Sequence, residues 1–121
     1  MTNSEAEPSA AGAADVHPFA PFTDFRSGDP LAQYNADVLI EGVWQRPGLS
    51  RRDRRLITLA ILATRGAIAE AGVHIDAALY QGEMTVEQLQ EMAVQVAFYA
   101  GWPMGNRLQR EITDRAAARD L

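Results

Sequence analysis

From Asp29 onward, apolar residues recur at helical spacing, and turn-forming residues cut the pattern into separate stretches. Asp29-Pro30 pairs an N-cap residue with a proline suited to the first helical position, so a helix is predicted to start there. It would turn Leu31, Tyr34, Val38 and, at its far end, Val43 inward before Pro47-Gly48 stops it. "SRRD", Ser50 to Asp53, resembles a capping box with Asp in place of the usual Glu, and opens a second helix to about Arg65. Leu56, Ile57, Leu59, Ala60, Ile61 and Leu62 make that helix apolar nearly all round, the pattern of a helix buried on most sides. A third helix is predicted from about Ile68 to Tyr80, stopping near Gly82, a residue suited to the position after a helix. "TVEQ", Thr85 to Gln88, is a fuller capping box. It opens a fourth helix with Leu89, Met92, Ala93, Val96 and Ala97 on one face. Gly101 and Pro103 break it, and a fifth amphipathic helix fills Met104 to about Ala118. No alternating strand pattern is present, which predicts an all-α domain.

The first 20 residues are small, polar and rich in Ala, Ser and Pro, and bury too little to offset their ordering entropy. They are expected to form a disordered tail, residues 1–20, ahead of a single domain, residues 21–121. "HPFAPFTDF" interleaves Phe19, Phe22 and Phe25 with prolines. It reads as an extended arm docking its aromatics on the domain or on a neighbouring subunit.

A chain of 121 residues suits one core, and 47% hydrophobic with 22% charged residues is an ordinary globular balance. A domain this small with a helix apolar on most sides is expected to bury part of it against another copy, as a homo-oligomer. The net charge of −5 opposes binding to nucleic acid. No stretch approaches the roughly 18 apolar residues of a membrane span, and the N-terminus lacks the pattern of a secretory signal. A cytoplasmic protein is expected. The eleven basic residues are all arginine, which removes lysine chemistry, and the absence of cysteine removes thiol chemistry. Two histidines, His17 and His74, make a histidine-rich metal site unsuited to this chain, and no metal or cofactor is expected.

Two features carry candidate chemistry. Arg51, Arg52, Arg54 and Arg55 crowd the start of the second helix, where the helix dipole disfavours cations. They could form a solvated helix end, a nucleic-acid patch or an anion site. Arg51 and Arg52 are expected to face solvent or another subunit's acids. Arg54 and Arg55, nearer the apolar run, are better placed to hold a carboxylate. His74 follows Glu70 by four residues, so the two share a helix face. A carboxylate can orient an imidazole and raise its basicity, giving a proton shuttle; such a pair is also a common surface feature. Trp44, Tyr99 and Trp102 sit near helix breaks, where they can pack in the core or line a pocket.

"GVWQRPGLSRRDRRLITLAILATRG" and "VHIDAALYQGEMTVEQLQEMAVQVAFYAGWP" resemble the carboxymuconolactone decarboxylase family, which shares its all-helical fold with the alkylhydroperoxidase-D proteins. The likeness covers about Asp29 to Leu108. It rests on W-x-R-P-G-L, H-x-x-A-L-x-x-G and Y-A-G-x-P in order. The resemblance implies an alkylhydroperoxidase-D-like domain of about five to six helices, working as a trimer or hexamer without a cofactor. The peroxidase branch carries C-x-x-C ahead of the histidine; Ala67 and Glu70 stand at those places, so peroxidase chemistry is not expected.

The namesake reaction removes CO2 from a small carboxylated lactone in aromatic degradation. The resemblance then implies His74 and Glu70 as catalytic residues, and Arg46 and Arg54 as substrate-binding residues. Arg55, Trp44 and Tyr99 join that set from their positions. The partner is a small anionic organic molecule. Family members often place an acid where Gly42 stands, Glu where Arg55 stands, and Asn where Arg107 stands. These departures suggest a pocket with more positive charge. They keep open two further readings: isomerisation, cyclisation or ring opening in a biosynthetic pathway, and a non-catalytic oligomeric scaffold or regulatory subunit.

Overall fold

The computed structural model describes residues 17–22 and 28–121. The expected tail through residue 16, and Phe25 of the arm, lie outside these. Among the described residues there is no strand, and five α-helices form the chain. They are α1 (Pro30–Tyr34), α2 (Arg51–Thr64), α3 (Ile68–Tyr80), α4 (Val86–Ala100) and α5 (Trp102–Ala117). None of the helices is long and apolar enough to cross a membrane.

The expected caps form, though the Ser50 stretch makes only one of the two bonds of a capping box. Asp29 accepts from the Ala32 amide at 2.8 Å, and Ser50 Oγ accepts from the Asp53 amide at 3.0 Å. Thr85 and Gln88 exchange both bonds of a capping box, at 3.0 and 3.1 Å. Each cap satisfies an amide that the first helical turn leaves without a carbonyl. Gly82 follows α3 with φ of +68°, the left-handed conformation glycine adopts without strain. Gly101 at φ +113° ends α4 and starts α5 together. α5 therefore begins at Trp102, ahead of the expected Met104, with Pro103 in its first turn, where no amide hydrogen is needed.

The core lies where α3, α4 and α5 pack together, with α2 along one side. α4 buries Leu89, Met92, Ala93, Val96 and Ala97, the face its spacing predicts. Leu108 and Ile112 of α5 and Ile75 of α3 are fully buried beside Leu89. Each such side chain contributes about 2 kcal/mol. α4 and α5 approach closely because Gly105 faces Ala97. A methyl group on Gly105 would lie 2.5 Å from Ala97 Cβ.

Two expectations about burial are corrected. α2 buries only Arg55, Leu59 and Ala63, one stripe at i, i+4 and i+8, while Ile57 and Ile61 remain about half exposed. The helix sits at the side of the bundle, so its apolar surface exceeds what this chain covers. In the first segment, Leu31, Tyr34, Val38 and Val43 are all exposed, and Ile40 and Trp44 are the buried residues. The cause is local. α1 runs into a π-helical stretch, Asn35–Ile40, where the Glu41 amide bonds back to Ala36 O at 3.0 Å. The wider turn shifts the register away from the 3.6-residue period. A 3₁₀ turn, Val43–Gln45, then carries Trp44 inward. Gly42 allows this junction, since a Cβ there would sit 2.4 Å from Val38 O.

Four residues of the expected tail, 17–20, are among those described. Pro18 is fully buried and Phe19 nearly so, packed against the helical domain. Gln81, just after α3, ties this arm down: its Nε2 lies 3.1, 3.3 and 3.2 Å from the carbonyls of His17, Pro18 and Ala20.

Candidate active site

His74 lies mid-way along α3, 6% exposed, and the elements around it build an aromatic box. Trp44 stacks on its ring with centroids 5.7 Å apart and planes 17° from parallel. Phe19 meets the same ring edge-on at 4.8 Å and Trp44 edge-on at 5.6 Å. Arg55, entirely buried on α2, places its guanidinium 4.8 Å from the Trp44 ring centroid. Such geometry is favourable for aromatic pairs and for a cation over an indole face.

Arg55 is the hub behind the box. Its Nε and Nη2 donate to the two Glu83 carboxylate oxygens at 2.8 and 3.0 Å. Nη2 also donates to Pro18 O, and Nη1 meets His74 Nδ1 at 2.8 Å. Burial, and then the Arg55 charge, push the His74 pKa down to about 4.

Two cavities meet at His74. One, about 440 Å³, is lined by Leu39, Val43, Trp44, Arg54, Ile57, Thr58 and Leu62, together with Phe19, Glu70 and His74. The other, about 520 Å³, adds Phe22, Ala69, Val73 and Arg115 to the same Phe19, Glu70 and His74. Both have the size of a small-molecule site. The Arg115 charge is already matched, by Asp76 and by Glu111 at 2.8 Å.

The sequence-predicted residues divide accordingly. Trp44, Arg54, Glu70 and His74 are brought together around the smaller cavity. Arg54 donates Nη2 to Arg46 O at 3.0 Å, and its Nε is buried with no partner among the described residues. Arg46 contributes that backbone carbonyl and holds its side chain in solvent. Arg55, expected to bind substrate, is instead sealed behind His74 with its fork taken by Glu83. Tyr99 is 85% exposed on α4 and lines neither cavity. Glu70 shares both cavities with His74 but makes no hydrogen bond to it; the partner that orients the ring is Arg55. The suggested excess of positive charge is offset, since Glu83 pairs with Arg55 and Arg107 is exposed outside both cavities. Arg51 and Arg52 clamp the turn after α3, through Gln81 Oε1 at 3.2 Å and Glu83 O at 3.1 Å.

Sequence reasoning missed Glu83 and gave Phe19 no place in the site. Phe19 stood in an aromatic arm marked for docking, a usable signal. Glu83 follows a turn glycine and carried no signal.

The match to known proteins follows this geometry, since α1 to mid-α5 is the stretch that carries it. The carboxymuconolactone decarboxylase family model matches residues 30–108. The 4-carboxymuconolactone decarboxylase of Acinetobacter baylyi is 39% identical over 64 residues, 53% of this chain and 47% of that protein. The nitrosuccinic acid decarboxylase of Metarhizium robertsii is 33% identical over 82 residues, 64% of this chain and 57% of that protein. The chain thus spans about half the length of the curated relatives it matches. No solved structure matches it. With two thirds of its residues under one family model, and His74, Arg54 and Trp44 of that stretch gathered at one cavity, the chain belongs to the carboxymuconolactone decarboxylase family.

Proposed function

We propose that the protein is a cofactor-independent decarboxylase acting on a small carboxylated lactone or cyclic keto acid, with 4-carboxymuconolactone as the nearest concrete substrate. The observation that carries this reading is one cavity lined by Arg54, a buried imidazole and a carboxylate between apolar walls, the Arg54 Nε having no partner among the described residues. Arg54 anchors a carboxylate of the substrate, and Trp44 and Phe19 hold its planar ring. The bond between the leaving carboxylate carbon and the ring carbon breaks, CO2 departs, and its electron pair delocalises into the conjugated carbonyl. His74 stabilises the resulting dienolate oxygen by hydrogen bonding. Glu70, on the same cavity, takes a proton from solvent and passes it to carbon, closing the cycle. Both relatives are named as decarboxylases, which supports this class of chemistry. The half-exposed Ile57 and Ile61 of α2, and the exposed Phe98, Tyr99 and Trp102, support assembly as a homo-oligomer, for which the family resemblance implies a trimer or hexamer.

A carboxylate base facing a neutral imidazole also suits isomerisation by proton transfer without loss of CO2. A turnover assay without added cofactor, following CO2 release from 4-carboxymuconolactone, separates the two. Release by the wild type that collapses in His74→Ala supports decarboxylation. Proton exchange into the substrate with no CO2 from folded protein replaces it with isomerisation, and neither activity retires both for this substrate.

A further inference from the structure

The geometry points to Arg55 as a positioning residue that fixes His74 as a neutral imidazole with its proton on Nε2, directed to the substrate cavities. The inference rests on the reading of His74 as part of the site, and deepens it. A guanidinium has hydrogens to donate and no lone pair to accept with. At 2.8 Å from Arg55 Nη1, His74 Nδ1 must therefore be the acceptor and carry no proton. The neutral ring then bears its hydrogen on Nε2, which has no protein partner among the described residues. A carboxylate in the place of Arg55 would do the reverse, holding a proton on Nδ1 and favouring the charged ring.

Arg55 cannot drift from this role. It is fully buried, its Nε and Nη2 grip both oxygens of Glu83, and Nη2 also reaches Pro18 O. The ring cannot tilt freely either, between Trp44 stacked on it and Phe19 at its edge. The other charged groups facing the ring are Glu70 on its own helix, Arg54 across the smaller cavity and Arg115 across the larger. Arg115 is matched by Asp76 and Glu111, and Glu83 reaches the ring only through Arg55. His17 stands behind Phe19, its ring 5.7 Å from that phenyl, with Nδ1 accepting from the Phe19 amide at 3.0 Å.

The chemical consequence is a division of labour. His74 supplies a fixed hydrogen-bond donor to a developing oxyanion and does not arrive carrying the proton destined for carbon. That proton must come from elsewhere in the cavity.

The test is imidazole nitrogen NMR on full-length protein labelled at histidine, with His17 assigned through a His17→Gln variant. Wild-type His74 is expected as the neutral Nε2–H tautomer at pH 7. The charge-swapped pair Arg55→Glu with Glu83→Arg is expected to move the proton to Nδ1 and raise the titration midpoint. An Nδ1–H or charged His74 in the wild type overturns the assignment, as does an unchanged tautomer in a folded swap variant. Should the swap fail to fold, the wild-type spectrum decides alone. CO2 release is scored separately: a protein without decarboxylase activity but with the Nε2–H signature leaves Arg55 assigned and removes only the proposed reaction. An active enzyme with Nδ1–H His74 does the opposite.

Discussion

Trp44 and His74 lie face to face, 5.7 Å between ring centroids, although one comes from a 3₁₀ turn and the other from the middle of α3. The same indole receives the Arg55 guanidinium at 4.8 Å. One aromatic side chain thereby braces both an imidazole and a buried cation. Trp44→Ala should destabilise the fold by about 3–5 kcal/mol, as expected for removing a buried indole. Trp44→Phe should cost less. Urea denaturation of the three proteins measures this, and a loss below about 1 kcal/mol for the alanine variant would contradict the bracing role.

Glu83 should matter to stability well beyond its place in a turn. Glu83→Ala leaves the Arg55 charge buried without its counter-ion, a change that costs about 3–5 kcal/mol in comparable cases. Replacing both residues together, as Arg55→Met with Glu83→Leu, should recover much of that loss, because no charge is then stranded. Thermal and chemical unfolding of the single and the double variant measures both losses. Equal destabilisation in both would show that the ion pair is not the source.

The burial of Arg55 marks the boundary of what the sequence discloses. The caps at Asp29, Ser50 and Thr85 were legible because each joins residues three apart in the chain. The inward face of α4 was legible for the same reason, as a repeat within one helix. Arg55 finds Glu83, His74 and Pro18 at separations of 28, 19 and 37 residues, and nothing local encodes those meetings. Judged by composition, it was one of four arginines at a helix start, and substrate binding was a natural reading. The first segment failed differently. Its apolar residues carry helical spacing, but the π-helical stretch at Asn35–Ile40 alters the period that the reading assumes. His74, Glu70, Arg54 and Trp44 were identified and do share a cavity, whereas Tyr99 was placed there by its position near a helix break and points elsewhere.

Stability should fall in mild acid through His74. Its pKa in the folded protein, about 4, lies below the ordinary 6.5. Above pH 6.5 the ring is neutral whether the chain is folded or not, and contributes no pH dependence. Between pH 6.5 and 4 the unfolded chain takes up a proton that the folded site refuses, so unfolding becomes easier as pH falls. The full penalty, roughly 3 kcal/mol, is reached below pH 4. Carboxylates titrate in the same range, so the measurement is the difference between wild type and His74→Asn across pH 4 to 7. The two stability curves should diverge with acid, the wild type losing more. Parallel curves would show that His74 is not held neutral.

Gly105→Ala should test the contact between α4 and α5. The new methyl group would lie 2.8 Å from Ala97 Cα, and backbone cannot move aside as a flexible side chain does. A loss of about 1–3 kcal/mol is expected from this overpacking. The paired variant Gly105→Ala with Ala97→Gly should regain part of it. Denaturant midpoints for the two variants decide the matter, and an unchanged midpoint in the single variant would mean that the helices are free to separate.

Arg54→Gln should raise KM for a carboxylated substrate by about 10- to 100-fold, the range for losing one charged contact of 1.5–3 kcal/mol, with the fold intact. Steady-state kinetics beside circular dichroism would measure both. An unchanged KM would remove Arg54 as the carboxylate anchor.

Phe19 borders both cavities and touches His74, yet it lies ahead of residues 30–108, over which the family is recognised. The residues by which the family is recognised and the side chain that walls both cavities thus come from different parts of the chain. A change confined to that short leading segment would reshape the room beside the histidine while leaving the helices of the family match untouched.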